Sequence, residues 1–228
     1  MGDAVDFPEE EARHVTRVLR LGVGDGIQWL DGRGGRYRGR VVDLDRRRLR
    51  SQVEAFERAP APRPLHLYVG ALHDAARLEW LVEKATELGA SSIALVRTAR
   101  VQRTRYRIDR LRAKAIAALK QSGRVWLPPL TEPTYGAVVA ELAALDPSRR
   151  VLIAHCDRSR PRVRLGALLT ATDAPPAGDH LLIGPEGDFT TGEIDAAEAA
   201  GATAVSLGDA RLRTETATLA ALALLTAR

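Results

Sequence analysis

Two glycine-bearing segments near the end of the chain carry residue types suited to holding a ligand. They are Ile183–Phe189 (IGPEGDF) and Leu207–Thr216 (LGDARLRTET), and each follows or ends a predicted strand. Open α/β sheets bind ligands at the carboxyl ends of their strands, and glycine there lets the backbone approach a ligand closely. Neither segment matches the phosphate-binding P-loop or the Gly-x-Gly-x-x-Gly dinucleotide motif. Spacing alone leaves two interpretations open, a ligand site or ordinary strand-to-helix turns.

The sequence after residue 64 alternates between strand-like and helix-like hydrophobic patterns. Strands are predicted at 65–72, 92–96, 151–154, 180–183 and 204–207, and helices at 78–88, 110–121, 135–145, 190–201 and 214–227. The helix at 190 begins with Thr190 and Glu193, which match a capping box. This alternation predicts a mostly parallel sheet covered by helices on both faces.

The first sixty residues have a different pattern. A helix is predicted at 9–19 and strands at 26–30, 36–44 and 51–56, with a hairpin loop at 31–35. Short strands of this kind favour a small β-barrel, closed to hide its edges. A proline-rich segment, APAPRP, then acts as an extended spacer. We therefore expect a β-barrel over 1–58, a linker over 59–64 and an α/β domain over 65–228.

Charge and cysteine content limit the class of protein. The 228 residues carry a formal net charge of +5 and an isoelectric point near 9.9, which favours an anionic partner such as nucleic acid but also serves solubility alone. The one cysteine, Cys156, excludes an internal disulfide and is expected to be a small buried residue. The histidines show no metal-ligand spacing, so no metal is expected. No signal peptide or membrane-spanning stretch is visible, so we expect a soluble cytoplasmic protein.

The two glycine segments resemble the signature of the SPOUT methyltransferases, and within that class the RsmE family. That family methylates N3 of a uridine in small-subunit ribosomal RNA. His14–Arg20 and Asp31–Gly35 are similar to the PUA-like module of the family, and Glu79–Gly89 and Gln121–Arg124 to two of its other motifs. The resemblance covers essentially the whole chain. Two departures are Asp188, where the family usually has glycine, and Asp209-Ala210, which replaces a Pro-Arg type of sequence.

The resemblance implies a fold, a cofactor and a partner. The fold is a SPOUT trefoil-knot α/β domain preceded by a PUA-like β-barrel, the cofactor is S-adenosyl-L-methionine, and the partner is 16S ribosomal RNA, in the small subunit or its assembly intermediate. Three loops would hold the cofactor, through Ala154, His155, Cys156, Leu182, Ile183, Gly184, Pro185, Glu186, Gly187, Leu207, Gly208, Leu212, Arg213, Thr214 and Thr216. The last helix is apolar nearly all round, which agrees with the family's homodimer.

Methylation at uracil N3 requires loss of its proton. Arg213, beside the expected cofactor loop, is the candidate for stabilising the resulting anion, and Glu186 is a weaker candidate for general base. Holding its own loop by accepting backbone hydrogen bonds is the favoured alternative for Glu186.

Arginine clusters indicate where RNA phosphates would be held, although such clusters are also common on solvated surfaces. One lies around Tyr106 after a predicted strand, and another surrounds the hairpin loop. The candidate RNA-binding residues are Arg17, Arg20, Arg33, Arg36, Arg38, Arg97, Arg100, Arg103, Arg105 and Arg124, and Arg107 belongs to the same run.

Two alternatives stay open. One is a SPOUT methyltransferase acting on transfer RNA or on another ribosomal RNA site. The other is a non-enzymatic RNA-binding or ribosome-assembly protein with the same fold, which the intact segments 184–187 and 213–216 argue against.

Overall fold

The computed structural model describes residues 2–101, 106–171 and 176–227. The chain divides into two compact units, Met1–Ala61 and Pro62–Arg228. The division falls inside the proline-rich segment 59–64, where alternating prolines remove backbone donors and disfavour regular structure.

The first unit is a four-stranded antiparallel sheet with a helix on one face. Its strands are β1 (Ala4–Phe7), β2 (Gly26–Leu30), β3 (Gly35–Leu44) and β4 (Leu49–Arg58), in the order β1-β4-β3-β2. Helix α1 (Glu9–His14) continues as a single π-helical turn, Val15–Leu19. A small core closes the gap between helix and sheet; its buried members are Ala12, Val15, Ile27, Val41 and Leu49.

This sheet differs from the predicted closed barrel. Its hydrogen-bonded ladders join only neighbouring strands in the order given, and within residues 2–61 none joins β1 to β2. The physical reason is the helix: α1 and its π-helical extension already cover the apolar face of the sheet, so closure is not needed to bury it. The predicted strands themselves are confirmed, and β1 is an additional one.

The second unit alternates strands and helices as expected. Its elements are β5 (Leu65–Gly70), α2 (Ala75–Glu87), β6 (Ser92–Val96), α3 (Ile108–Ser122), β7 (Leu130–Thr131), α4 (Tyr135–Ala143), β8 (Arg149–Ala154), β9 (Val163–Arg164), α5 (Leu165–Thr170), β10 (Gly178–Ile183), α6 (Thr191–Ala199), β11 (Thr203–Ser206) and α7 (Thr214–Thr226). The predicted capping box at the start of α6 is present. The sequence did not predict β7, β9 and α5, which are too short to show a periodic pattern.

The seven strands of this unit form one parallel sheet in the order β7-β6-β5-β10-β8-β11-β9. Leu181 and Ile183 of β10 pack into the core that includes residues of α2, α3, α5 and α7, while Leu182 between them packs into the core of α4 and α6. Both faces of the sheet are therefore covered, as predicted. No helix in the described ranges is long and apolar enough to cross a membrane.

The strand order decides where ligands can bind. Strand β8 is hydrogen-bonded to β10 on one side and to β11 on the other, and both pairings are parallel. The loops that follow these three strands therefore emerge at the same edge of the sheet. The threading of the last helix, which the family resemblance implies, stays a prediction.

A buried cluster of titratable groups lies between β5 and β10. The rings of His66 and His180, which are paired in register, stack at 4.5 Å. The Tyr68 hydroxyl donates to Glu141 at 2.7 Å and lies 3.1 Å from Nδ1 of His180. Burial, together with the neighbouring His66 and Arg149, lowers the pKa of His180 to about 4. His180 is consequently held neutral at physiological pH.

This cluster should make the stability of the protein sensitive to acid. A histidine whose pKa is lowered by folding stabilises the native state above its ordinary pKa, near 6.5, and that stability is lost as the pH falls towards 4. The shift corresponds to up to about 3 kcal/mol of unfolding free energy. We expect His180→Phe, which keeps the ring stack, to lose less stability than the wild type between pH 6.5 and 4 in urea unfolding. Parallel pH dependences for the two proteins would contradict this.

Candidate functional site

A cavity of about 580 Å³ lies at the carboxyl edge of the parallel sheet. It is formed by the segments after β8 and β10 and by the end of β11 with the loop that follows it. The beginning of α2 adds Asp74 and Arg77, and Ala217 of α7 completes the wall. The volume falls within the range of about 300–1,000 Å³ that is typical of cofactor sites.

Most residues predicted to hold a cofactor line this cavity. They are Ala154, His155, Cys156, Ile183, Gly184, Pro185, Glu186, Leu207, Gly208, Leu212, Arg213 and Thr214. Three others lie elsewhere. Leu182 is buried in the core beneath α4 and α6, because strand alternation turns it to the other face. Gly187 is outside the lining, next to Arg100, and Thr216 is exposed on α7.

Several lining residues lie outside the predicted segments; they are Asp74, Arg77, Arg162, Val205, Ser206 and Ala217. Asp188, Ala210 and Arg211 also line the cavity and lie within the two glycine segments, although they were not singled out as cofactor ligands. A signal for Asp74 and Arg77 existed. They begin the helix after β5, and the carboxyl end of a parallel strand lies at the same edge as those of its neighbours. For Arg162 no comparable signal exists, since the short segment between β8 and β9 has no periodic pattern.

Asp188 shows why its position usually favours glycine. Its φ of 62° lies in the left-handed region, where a β-carbon is strained. Its carboxylate accepts a hydrogen bond from the Cys156 N–H at 2.8 Å and another from the Phe189 N–H at 2.9 Å. The aspartate thus ties the loop after β10 to the loop after β8, which offsets part of the strain.

Glycine and threonine fix the position of the loop after β10. A β-carbon on Gly70, at the end of β5, would lie 2.4 Å from the Pro185 ring, so only glycine allows this approach. The buried Thr214 hydroxyl donates to the Gly184 carbonyl at 3.0 Å. The loop is therefore held between β5 on one side and the start of α7 on the other.

Glu186 is already engaged by the protein. One carboxylate oxygen accepts the His73 N–H at 3.2 Å, and the other accepts Nη1 of Arg77 at 3.0 Å. Arg77 also forms a two-point ion pair with Glu215, through Nε at 2.9 Å and Nη2 at 2.6 Å. Burial raises the pKa of Glu215, but these hydrogen bonds outweigh it, and the net pKa is below the ordinary value. The contacts of Glu186 favour the loop-holding role over that of general base.

Arg213 differs from Arg77 and Arg162, the two lining arginines that bind groups of the protein. It is the N-cap residue of α7, it is exposed, and it lines the cavity. Within the described ranges its guanidinium has no hydrogen bond or ion pair, although it is close enough to Glu215 to lower that pKa. A cation that is not neutralised by a partner is suited to stabilise charge that develops on a bound molecule.

His155 and Cys156 occupy opposite environments. His155 is only 5% exposed, and neither of its ring nitrogens has a partner in the described part of the chain. Burial lowers its pKa, so a neutral ring is favoured. Cys156 is exposed at the cavity, so the expectation that it would be buried is wrong. It lies in a loop rather than in the strand, whose last residue is Ala154.

The predicted RNA-binding arginines fall into two groups. Arg100 donates to the carbonyls of Gly187 and Phe189 at 2.7 and 3.2 Å, and Arg124 donates to the Glu87 carbonyl at the end of α2 at 2.7 Å. These two therefore hold protein loops. The side chains of the other group are exposed; they belong to Arg17, Arg20, Arg33, Arg36, Arg38, Arg97 and Arg107. Arg103 and Arg105 lie outside the described residues.

Over the described ranges no three metal-binding side chains cluster.

Comparisons with known proteins agree with this architecture. A family model described as "RNA methyltransferase domain" matches residues 59–226, and one described as "RNA methyltransferase PUA domain" matches residues 7–54. The chain is 34% identical over 222 residues to a ribosomal RNA small subunit methyltransferase E of Synechocystis, covering 96% of this chain and 71% of the relative.

Solved structures give the same result. A ribosomal RNA small subunit methyltransferase E from Neisseria gonorrhoeae, bound to S-adenosyl methionine, matches with a TM-score of 0.84 and 29% identity over 99% of this chain and 92% of that one. A more distant SpoU methyltransferase, AviRb from Streptomyces viridochromogenes in complex with AdoMet, shares the fold at a TM-score of 0.51 and 16% identity, over 80% of this chain and 66% of that one.

The fold and the matched domains define an RNA methyltransferase with a PUA-like N-terminal domain. The chain belongs to the ribosomal RNA small subunit methyltransferase E family. The family expected from the glycine segments is therefore confirmed.

The role of Asp188 can be separated from its strain. Asp188→Gly removes both hydrogen-bond acceptors but also relieves the left-handed conformation, so we expect a change in unfolding free energy within about 1 kcal/mol. Asp188→Ala removes the acceptors and keeps the strain, so we expect a loss of about 2 kcal/mol. In both variants the Cys156 amide should exchange its hydrogen faster. Equal stability of the two variants, with unchanged exchange at Cys156, would show that Asp188 does not tie the loops.

Proposed function

We propose that this protein transfers a methyl group from S-adenosyl-L-methionine to N3 of a specific uridine in 16S ribosomal RNA. The observation that carries the proposal is the cavity at the carboxyl edge of the sheet, which is lined by the two glycine segments and lies within the matched RNA methyltransferase domain. The curated relative is named for methylation of small-subunit ribosomal RNA, and two structural neighbours are bound to this cofactor. We infer a cytoplasmic location, where such RNA is found in bacteria.

The residues of the cavity fit the cofactor. Gly208 has a φ of 136°, a backbone conformation that would be strained in a residue with a side chain. A β-carbon placed on it would have no neighbouring atom within 4 Å, so the space beside it is open. The ring nitrogens of His155 have no partner among the described residues, and a neutral ring would offer one donor and one acceptor to an adenine or ribose edge. Asp188 contributes a carboxylate, which suits a cationic sulfonium better than a second cation would. The bound cofactor supplies an electrophilic methyl group.

Arg213 acts on the uracil. As the N3 proton leaves to solvent, negative charge spreads to O2 and O4, and the guanidinium of Arg213 stabilises it. Glu186 is assigned the loop-holding role rather than that of general base, because Arg77 and the His73 N–H bind its oxygens. Arg211 also lines the cavity and adds positive potential for the RNA backbone.

RNA is held by the N-terminal module, residues 1–58, which the linker 59–64 joins to the catalytic domain, residues 65–228. Arg36 and Arg38 alternate along β3 on the face of the sheet opposite its core, where their side chains are exposed. Arg33 lies in the preceding hairpin loop, where Asp31 accepts its N–H at 2.7 Å and that of Gly35 at 2.8 Å. These three arginines contact phosphates and position the strand, and the target base is read in the cavity.

The proposed reaction is tested by incubating the purified chain and S-adenosylmethionine with unmodified 16S ribosomal RNA and with assembled small subunits. Nucleoside mass spectrometry should detect N3-methyluridine in at least one substrate. Arg213→Ala should lower kcat by about 100-fold or more, as expected for loss of a charge-stabilising donor. Arg38→Ala should instead raise KM for RNA and weaken its salt dependence. Absence of methyluridine, or methylation at another atom, would contradict the proposed reaction.

A homodimer through α7 is the quaternary structure we infer. The inner face of α7 is buried in the core of its own unit, where Leu222 is fully buried. The outer face stays uncovered: Leu224 is 42% exposed, Ala223 is exposed, and Leu219 and Ala220 are half-buried. An exposed apolar strip on a helix favours packing against α7 of a second copy of this chain, and the small alanine side chains allow the two helices to approach closely.

Leu224 and Leu222 form a matched pair for testing the dimer. Leu224→Glu should give a folded monomer, because it places a charge in the proposed interface only. Leu222→Glu should instead unfold the catalytic domain, because its carboxylate would be buried at a cost of several kcal/mol. Light scattering and circular dichroism distinguish the two outcomes. A wild-type mass of one chain at micromolar concentration would refute the dimer.

A further inference from the structure

Arg77 connects three parts of the catalytic unit that are distant in sequence. It lies in the first turn of α2, and its side chain is 27% exposed. Nε and Nη2 bind Glu215 in the first turn of α7, at 2.9 and 2.6 Å, while Nη1 binds Glu186 in the loop after β10, at 3.0 Å. All three nitrogens of the Arg77 guanidinium thus donate to glutamate oxygens.

The elements that Arg77 joins are walls of the same cavity. Glu186 belongs to its lining, and Glu215 follows Arg213 and Thr214, which line it as well. Thr214 makes a second connection between the same two walls, through its bond to the Gly184 carbonyl. The backbone of Arg213 is therefore anchored on its C-terminal side by two neighbouring contacts, and Arg77 makes the stronger, charged one.

We propose that Arg77 is a positioning residue: it clamps the Glu186 loop to the start of α7 and thereby sets the shape of the cofactor cavity and the place of Arg213. This inference rests on the proposed function, because it assigns Arg77 a role in methyl transfer. Arg77 itself need not touch the cofactor or the uracil.

The charges around Arg77 give the clamp a measurable signature. Glu186 and Glu215 face it from the loop and from α7, Asp74 and His73 lie beside it at the start of α2, and Arg213 lies near Glu215. With Arg77 in place the pKa of Glu215 is below its ordinary value. Without Arg77, burial would still raise the pKa of Glu215, and only its backbone hydrogen bond and Arg213 would still lower it, so we expect this pKa to move upward.

A purely structural arginine is available as a matched control. Arg110 on α3 binds the nearly buried Glu79 of α2 through Nε at 2.5 Å and Nη2 at 3.0 Å. Neither residue lines the cofactor cavity. Arg110→Met therefore removes another arginine–glutamate pair that joins α2 to a neighbouring helix, without disturbing the proposed clamp.

The test compares Arg77→Met, Arg77→Lys and Arg110→Met in the full chain. For Arg77→Met at pH 8 we expect S-adenosylmethionine affinity to fall about tenfold by calorimetry, as expected for loss of charged hydrogen bonds. We expect kcat at saturating substrates to fall about 100-fold, because Arg213 is displaced. Arg77→Lys keeps the charge but cannot bind both carboxylates in a fork, so it should lose about tenfold in kcat and little affinity. Arg110→Met should keep the wild-type affinity.

The pH dependence separates positioning from a general loss of stability. In Arg77→Met, cofactor affinity should recover in part as the pH is lowered from 8 to 6, because protonation of Glu215 removes an unpaired, nearly buried charge at the start of α7. Wild type and Arg110→Met should show no such recovery. Arg77→Met combined with Glu215→Gln should abolish it, which distinguishes Glu215 from His73 as the titrating group.

The outcomes distinguish the clamp from the function on which it rests. If the wild type neither binds the cofactor nor methylates RNA, the proposed function fails. If the wild type does both and Arg77→Met matches Arg110→Met in affinity, kcat and pH profile, the clamp is refuted. Recovery at low pH that persists in the Glu215→Gln background refutes it too.

Discussion

Strand β10 is the element on which the catalytic unit depends. It is hydrogen-bonded along its length to β5 on one side and to β8 on the other, and all six of its residues are buried. Its neighbour β8 in turn pairs with β11. Because these pairings are parallel, the segments after β5, β8, β10 and β11 all leave the sheet at one edge. The cavity follows from this order, since residues from each of these segments line it.

The loops at that edge are held by one another more than by regular structure. Asp188 binds the loop after β8, Pro185 packs against Gly70, and Thr214 binds the Gly184 carbonyl. Arg77 adds a charged connection from α2. A site assembled in this way is preorganised, because each connection fixes one loop relative to the next before any ligand binds. The arrangement leaves Arg213 exposed without an ion pair in the described ranges, while Glu186 is engaged.

The sequence predicted the parts of the fold that carry long periodic patterns. The helices from α2 to α4 and α7, and the longer strands, were found because apolar residues repeat over several turns or pleats, and the capping box identified the start of α6. Short elements such as β7 and β9 have too few residues for a pattern. Sheet closure in the first unit was predicted wrongly, because strand patterns do not show that a helix already covers the apolar face.

The candidate site was predicted well where a family motif exists and poorly where a side chain acts through a distant contact. The glycine segments identified most of the cavity lining. Arg100 and Arg124 resemble surface cations in the sequence, yet both bind backbone carbonyls far along the chain. Arg77 carries no motif of its own, and its role depends on two glutamates that are separated from it by more than one hundred residues. Only three-dimensional packing identifies such contacts.

The most direct test of the cofactor site is a titration of the labelled protein with S-adenosylmethionine, followed through its backbone amide resonances. We expect the largest shifts at residues 154–156, 183–188 and 207–214, which line the cavity, and little change in the sheet of the first unit. Saturable binding that perturbs those three loops would establish the site. Shifts confined to other regions, or no binding at millimolar cofactor, would contradict it.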